Sequence, residues 1–209
     1  MGKRSRAGLL CLFLGILCLT AAQALWQNNR SEALEGEASA RAVMEQLAPA
    51  IRNQALKEAA SDAYDPSKEE AEPVPSFLSV PTVEIDGYSF IGFLTIPDLS
   101  LELPVMEDWD YDRLKIAPCR YRGTVSGDDL IVAAHNYLRH FGHLTELGLG
   151  EEILFTDAAG KSTRYRVAEL EILPADAVEQ MTESGYDLTL FTCTYGGTNR
   201  YTVRCLRAD

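Results

Sequence analysis

Between Asp187 and Arg204 the chain reads D-L-T-L-F-T-C-T-Y-G-G-T-N-R-Y-T-V-R, an order that leaves few folds open. Leu188 to Thr192 is a β-rich run ending on Cys193, Gly196-Gly197 supplies turn residues, and after Arg200 the residues Tyr201, Val203 and Cys205 alternate with Thr202 and Arg204. A strand, a short loop and a returning strand are predicted, with a thiol where one ends and an arginine where the next begins. Upstream, the continuous apolar run Leu130 to Ala134 predicts a buried strand that delivers His135 to its end. Only a thiolate is a good nucleophile. A cysteine that attacks an amide therefore needs a cation or base nearby, an acid for the leaving amine and a donor for the oxyanion. Cys193, His135 and Arg200 are of the right types for this chemistry. Singly, each has a plainer reading, as a packed thiol, a structural histidine or a solvated arginine; together they point to acyl transfer.

T-L-F-T-C with the downstream R-Y-T-V resembles the sortases, membrane-anchored cysteine transpeptidases of Gram-positive bacteria. The stretch I-G-F-L-T-I-P-D-L-S-L-E-L-P-V, Ile91 to Val105, is similar to the opening strands of that family, about a hundred residues away. A-A-H-N-Y followed by F-G-H-L-T-E-L (Phe141 to Leu147) resembles its histidine strand and the short helix behind it, with Ala134 where glycine is usual. His140 and His143 lie in the helix-like part and rank below His135.

The resemblance implies a closed eight-stranded β-barrel with short helices on its rim, and a reaction of two acyl transfers. Cys193 would attack a carbonyl within an LPXTG-like sorting signal of a protein substrate. His135 would protonate the leaving amine, Arg200 would bond the substrate or oxyanion, and Thr192 would add a donor. An amine from a peptidoglycan precursor or a pilin lysine would then release the thioacyl enzyme, with no cofactor. Two rival readings are a secreted cysteine protease that passes the acyl group to water, and a non-catalytic surface binding barrel.

The N-terminus fits an extracellular enzyme held at a membrane. Lys3, Arg4 and Arg6 precede an uncharged stretch from Ala7 to Trp26, about 30 Å as a helix and enough to span a bilayer. Trp26 suits an interfacial anchor, so residues 1–29 are read as a cytoplasmic tip and signal-anchor, with the remainder outside. A cleaved signal peptide ending near Ala22-Gln23-Ala24 is the alternative. Residues 30–79 read as an acidic stalk, with one or two amphipathic helices interrupted near Pro49 and an extended, self-repelling linker from Asp65 to Pro75. A spacer is the plain interpretation of this stretch, an autoinhibitory or partner-binding helix the sharper one. On the spacer reading, a chain beginning near Ser76 is expected to be soluble and active.

Residues 80–209 form the expected catalytic barrel. Asp86-Gly87 marks a hairpin, Leu99 to Leu103 alternate as a strand, and Glu107 to Leu114 suggest a short helix. The alternation in Thr163 to Ile172 shifts near Ala168 as at a bulge, and Pro174 to Gly185 is a short crossover, unlike the long helix of class B sortases. The net charge of −12, without a basic cluster in this region, argues against nucleic acid. Cys119, Cys193 and Cys205 are an odd set, so at least one thiol is free outside the membrane, and a Cys119–Cys205 disulfide competes with a buried, unpaired Cys205, which shares the parity of Tyr201 and Val203. The short paired spacing of zinc sites and the acidic loop of calcium sites are both missing, so no metal is expected. Arg200, nearest the loop, is preferred over Arg204 as the catalytic arginine, and Arg204→Lys is expected to be nearly silent.

Overall fold

The computed structural model describes residues 3–62 and 80–208. Helix α1 (Lys3–Asp62) precedes strands β1 (Val83–Ile85), β2 (Tyr88–Ile96), β3 (Leu101–Met106), β4 (Cys119–Arg122), β5 (Leu130–Ala133), β6 (Glu152–Asp157) and β7 (Ser162–Pro174). Helix α2 (Val178–Thr182) follows, and then β8 (Leu188–Cys193) and β9 (Asn199–Arg207). Hydrogen-bonded neighbours run β2-β3-β4-β5-β8-β9-β7-β6, and β6 pairs back onto β2. Eight strands thus close into the expected barrel, which removes open sheet edges, and β1 is a short addition to β2. The loosest seam is β3–β4, parallel and joined through Met106 and Cys119.

Local sequence explains the main joints. Asp86 and Gly87 both take positive φ, 51° and 81°, as the tight β1–β2 turn requires. The shifted alternation in β7 is a bulge: its register against β9 slips between Val167 and Glu169. The two helices expected after β3 and β5 are only single 3-10 turns, Arg113–Lys115 and Leu144–Glu146. Asp110 explains the first, because its carboxylate accepts the backbone N–H groups of Asp112 and Arg113 at 2.8 and 2.7 Å. That is a capping use of the acidic stretch, and among the described residues no group of three potential metal ligands occurs.

Leu130, Val132, Leu188, Leu190, Val203 and Cys205 point into the barrel, packed with Ile91, Leu94 and Phe155. A second core lies outside the barrel wall, where Val43, Leu47 and Ile51 of α1 pack on Ile85, Phe90, Met106, Leu114, Cys119 and Ala133. This corrects the spacer reading of the stalk. Gly36, Ala40, Val43, Leu47 and Ile51 recur at helical spacing and are buried, so this part of α1 is a component of the folded domain. The interruption at Pro49 is also corrected. Pro49 sits on the exposed face of a continuous helix whose buried residues on either side, Leu47 and Ile51, fix its path. The linker expected from Asp65 to Pro75 falls outside the described residues. Toward its start α1 carries exposed Leu10, Phe13, Leu14 and Leu17 and is long and apolar enough to cross a membrane.

Candidate active site

Three neighbouring strands bring the predicted residues to one end of the barrel. β5 and β8 are parallel with Ala133 beside Phe191, and the Ala134 N–H donates to the Phe191 carbonyl at 3.2 Å. His135 and Cys193 each lie two residues beyond that pair. β8 and β9 are antiparallel with Cys193 directly opposite Arg200, a pairing that puts the two Cα atoms about 5 Å apart. Leu188 and Leu190 face the barrel interior, so Cys193, of opposite parity, faces outward together with its cross-strand partner Arg200.

The three barrel cysteines differ sharply in setting. Cys119 lies under α1 and Cys205 inside the barrel, both fully buried, and burial pushes each thiol up to about 12. They occupy different cores and are free, so the disulfide alternative fails, the buried, unpaired Cys205 is as expected, and Cys119 is a second buried thiol. Cys193 is half-exposed at its strand end.

His135 is half-buried, and its ring stacks on Tyr137 with centroids 4.8 Å apart and planes 25° apart. Burial, reinforced by the Lys115 ammonium, holds its imidazole below the usual histidine range, against a weaker opposing pull from Glu32 of α1. The rival histidines are engaged elsewhere. His140 is fully buried, donates its Nε2–H to the Gly36 carbonyl at 3.3 Å, and is pushed down to about 4 by burial. His143 pairs with Glu146 at 2.5 Å on the surface.

Arg200 Nη1 donates to the Gly197 and Asn199 carbonyls at 3.0 and 3.1 Å, and among the described residues no carboxylate pairs with it. The loop behind it is tight: Gly197 N–H donates to Thr194 O at 2.9 Å, and Gly196 and Gly197 take φ of 87° and 76°. Thr192 departs from its expected role as a substrate donor. It is buried, and its hydroxyl donates to the Ala134 carbonyl at 2.8 Å.

Arg204 corrects the expectation of a silent lysine replacement. It is 1% exposed, with Nε on Glu171 Oε1 at 2.7 Å, Nη1 on Met181 O and Thr189 Oγ1 at 3.1 and 3.0 Å, and Nη2 on Gln180 O at 2.7 Å. This arginine ties α2 to the outer face of β8 and β9. Its parity matches Arg200, and the seating of α2 over Arg204, which sequence does not reveal, separates the buried position from the exposed one.

An apolar strip runs along the outer face toward the thiol. Ile131, Leu173 and Met181 are buried there with Tyr121, Ala177 and Phe191 beside them. Tyr121 meets Phe191 edge-on at 5.3 Å and Trp109 at 5.3 Å. Phe191 of this cluster lies two residues before Cys193 on the same face of β8, so its part-buried ring adjoins the thiol end of the strand.

A sortase domain family matches residues 94–208. No curated protein matches the chain. Among solved structures the chain is similar to a sortase C1 from Streptococcus suis, with 26% identity, 57% of this chain and 73% of that one covered, and a TM-score of 0.51. It is also similar to sortase C of Streptococcus pneumoniae, at 19% identity, 80% and 96% coverage and a TM-score of 0.58. A Clostridium perfringens sortase C with the C-terminal cell wall sorting motif gives 23% identity, 79% and 89% coverage and a TM-score of 0.53. These last two carry the fold alone.

Proposed function

The chain belongs to the sortase family of cysteine transpeptidases, and on that premise we propose that Cys193, His135 and Arg200 are its nucleophile, acid–base and substrate-binding residues. Cys193 thiolate attacks the scissile carbonyl of an LPXTG-like sorting signal. The peptide C–N bond breaks, the imidazolium of His135 gives its proton to the departing amine, and a thioacyl enzyme remains. An incoming amine loses its proton to His135 and takes the acyl group, which regenerates the thiolate. Arg200 offers planar donors to the substrate or to the developing oxyanion once it exchanges its present carbonyl partners for the ligand. Thr192 serves by linking the cysteine and histidine strands.

One observation carries this reading: the register of β5, β8 and β9, which sets the cysteine and arginine opposite each other and the histidine at the same end of the adjoining strand. For the substrate class, the support is membership of the sortase family and the apolar outer face next to the thiol. We place the apolar N-terminal part of α1 in the membrane with the basic tip cytoplasmic and the barrel outside. In domain terms, residues 1–29 form the tip and anchor, 30–79 the stalk whose helix joins the barrel, and 80–209 the catalytic unit.

The test is incubation of the full chain in detergent with LPXTG-like peptides and amine acceptors, read by mass spectrometry. Wild type should give an amine-ligated product and a trappable thioacyl adduct, and Cys193→Ala should give neither. An active Cys193→Ala protein would overturn the assignment. Hydrolysed peptide with no ligated product would mark a protease instead.

A further inference from the structure

The loop that carries His135 is gripped from behind by α1. Gly36 comes so close that a Cβ there would lie 2.6 Å from the Lys115 carbonyl and 3.1 Å from two ring carbons of Tyr137. Tyr137 stacks on His135 and also meets the ring of His140 at 5.4 Å. His140 closes the contact through its bond to the Gly36 carbonyl, and Arg139 pairs with Glu37 at 3.3 Å. The loop is further folded by its own backbone, since the N–H groups of His140 and Gly142 both donate to Tyr137 O at 2.9 Å and Phe141 N–H donates to His135 O at 3.1 Å. The Tyr137 ring thus lies against Gly36, His140 and His135 together.

An imidazole that passes a proton between two partners must keep its orientation, and in a triad a hydrogen-bonded acid supplies that. Among the described residues no side chain is hydrogen-bonded to the His135 ring, so the task falls to stacking. We propose that Tyr137 is a positioning residue for His135 and that α1, seated through Gly36, is the backing that holds it there. The membrane-proximal helix is then part of the acid–base apparatus as well as a tether. The burial that lowers the basicity of His135 agrees with one face of its ring being covered. This inference rests on His135 being the acid–base residue.

The experiment compares the full chain in detergent micelles with Tyr137→Phe, Tyr137→Ala, Gly36→Leu, the Tyr137→Ala/Gly36→Leu double variant and His135→Ala. Tyr137→Ala removes the ring, and Gly36→Leu wedges the helix away without touching His135. Each should lower kcat about ten-fold with KM changed less than about two-fold, the pattern of lost orientation with intact binding. Tyr137→Phe should recover to within about two-fold of wild type, because it keeps the stacked face. The double variant should be no slower than the slower single one, since both break one linkage. NMR titration should show the His135 pKa rising in Tyr137→Ala as water reaches the ring. Normal kcat in Tyr137→Ala, equal losses in the Phe and Ala variants, or multiplicative losses in the double variant would overturn the proposal. If Gly36→Leu does not fold, the Phe and Ala pair and the titration decide. A fully active His135→Ala would instead bring down the functional reading beneath it, whereas an inactive His135→Ala beside a normal Tyr137→Ala would remove only this inference.

Discussion

The hydroxyl of Thr192 donates to the carbonyl of Ala134 at 2.8 Å, joining the residue before the thiol to the residue before the imidazole. β5 ends at Ala133, so this bond continues the link between the two strands past the last ladder position. Thr192→Val should leave a buried carbonyl short of a donor, at a cost of about 1–3 kcal/mol. It should lower Tm by several degrees and kcat more than KM, while Thr192→Ser keeps both near wild type. Thermal melts and steady-state kinetics on the three proteins check this.

Thiol reactivity should follow burial. Of the three barrel cysteines only Cys193 is part-exposed, whereas the two buried thiols are held at about 12. Alkylation with peptide mapping should modify Cys193 in the folded protein, and Cys119 and Cys205 only on unfolding. Cys119→Ala and Cys205→Ala should keep their chemistry and lose some stability.

The two outward arginines of β9 should separate cleanly. Arg200→Lys should keep the wild-type melting temperature and lose most of the rate, because an ammonium lacks the planar fork. Arg204→Lys should lose stability, by about 2–4 kcal/mol, since one buried group cannot satisfy Glu171, Thr189 and two backbone carbonyls together. Kinetics beside urea titrations distinguish the two effects.

Truncation tests the role of α1. A chain beginning at residue 76 strips Val43, Leu47 and Ile51 from Phe90, Met106 and Leu114, and each large apolar side chain so exposed forfeits about 1.5–3 kcal/mol. It should melt lower and aggregate more than a chain beginning at residue 28, which keeps the buried stripe. Calorimetry and light scattering on the two truncated chains report the difference.

His140 makes stability depend on acid. Its folded pKa of about 4 lies below the ordinary 6.5, so above pH 6.5 it is neutral in both states and adds no pH dependence. As pH falls from 6.5 toward 4 the unfolded chain takes up a proton that the folded one does not, and stability drops by about 3 kcal/mol before levelling. Urea titrations across this range should show the loss in wild type, and His140→Leu should remove that part of it.

Much of the barrel, and the placing of Cys193, His135 and Arg200 at strand ends, were legible in the sequence, because alternation, turn dipeptides and strand-end residues are local properties. Asp86-Gly87 favours a tight turn between strand residues through its own φ preferences, the slipped alternation at Ala168 is the bulge itself, and Cys193 and Arg200 flank a loop too short to separate them. The fates of Thr192, Arg204 and the stalk were decided elsewhere. Thr192 and Arg204 owe their burial to partners 58 and 15 to 33 residues away in the chain, set by a parallel register and by the seating of α2. The buried stripe of α1 can be traced in sequence as an amphipathic pattern, but what it covers cannot. A helix face and a barrel wall choose each other through shape, as where Gly36 lets α1 reach Lys115 and Tyr137, and such complementarity exists only once both surfaces have folded.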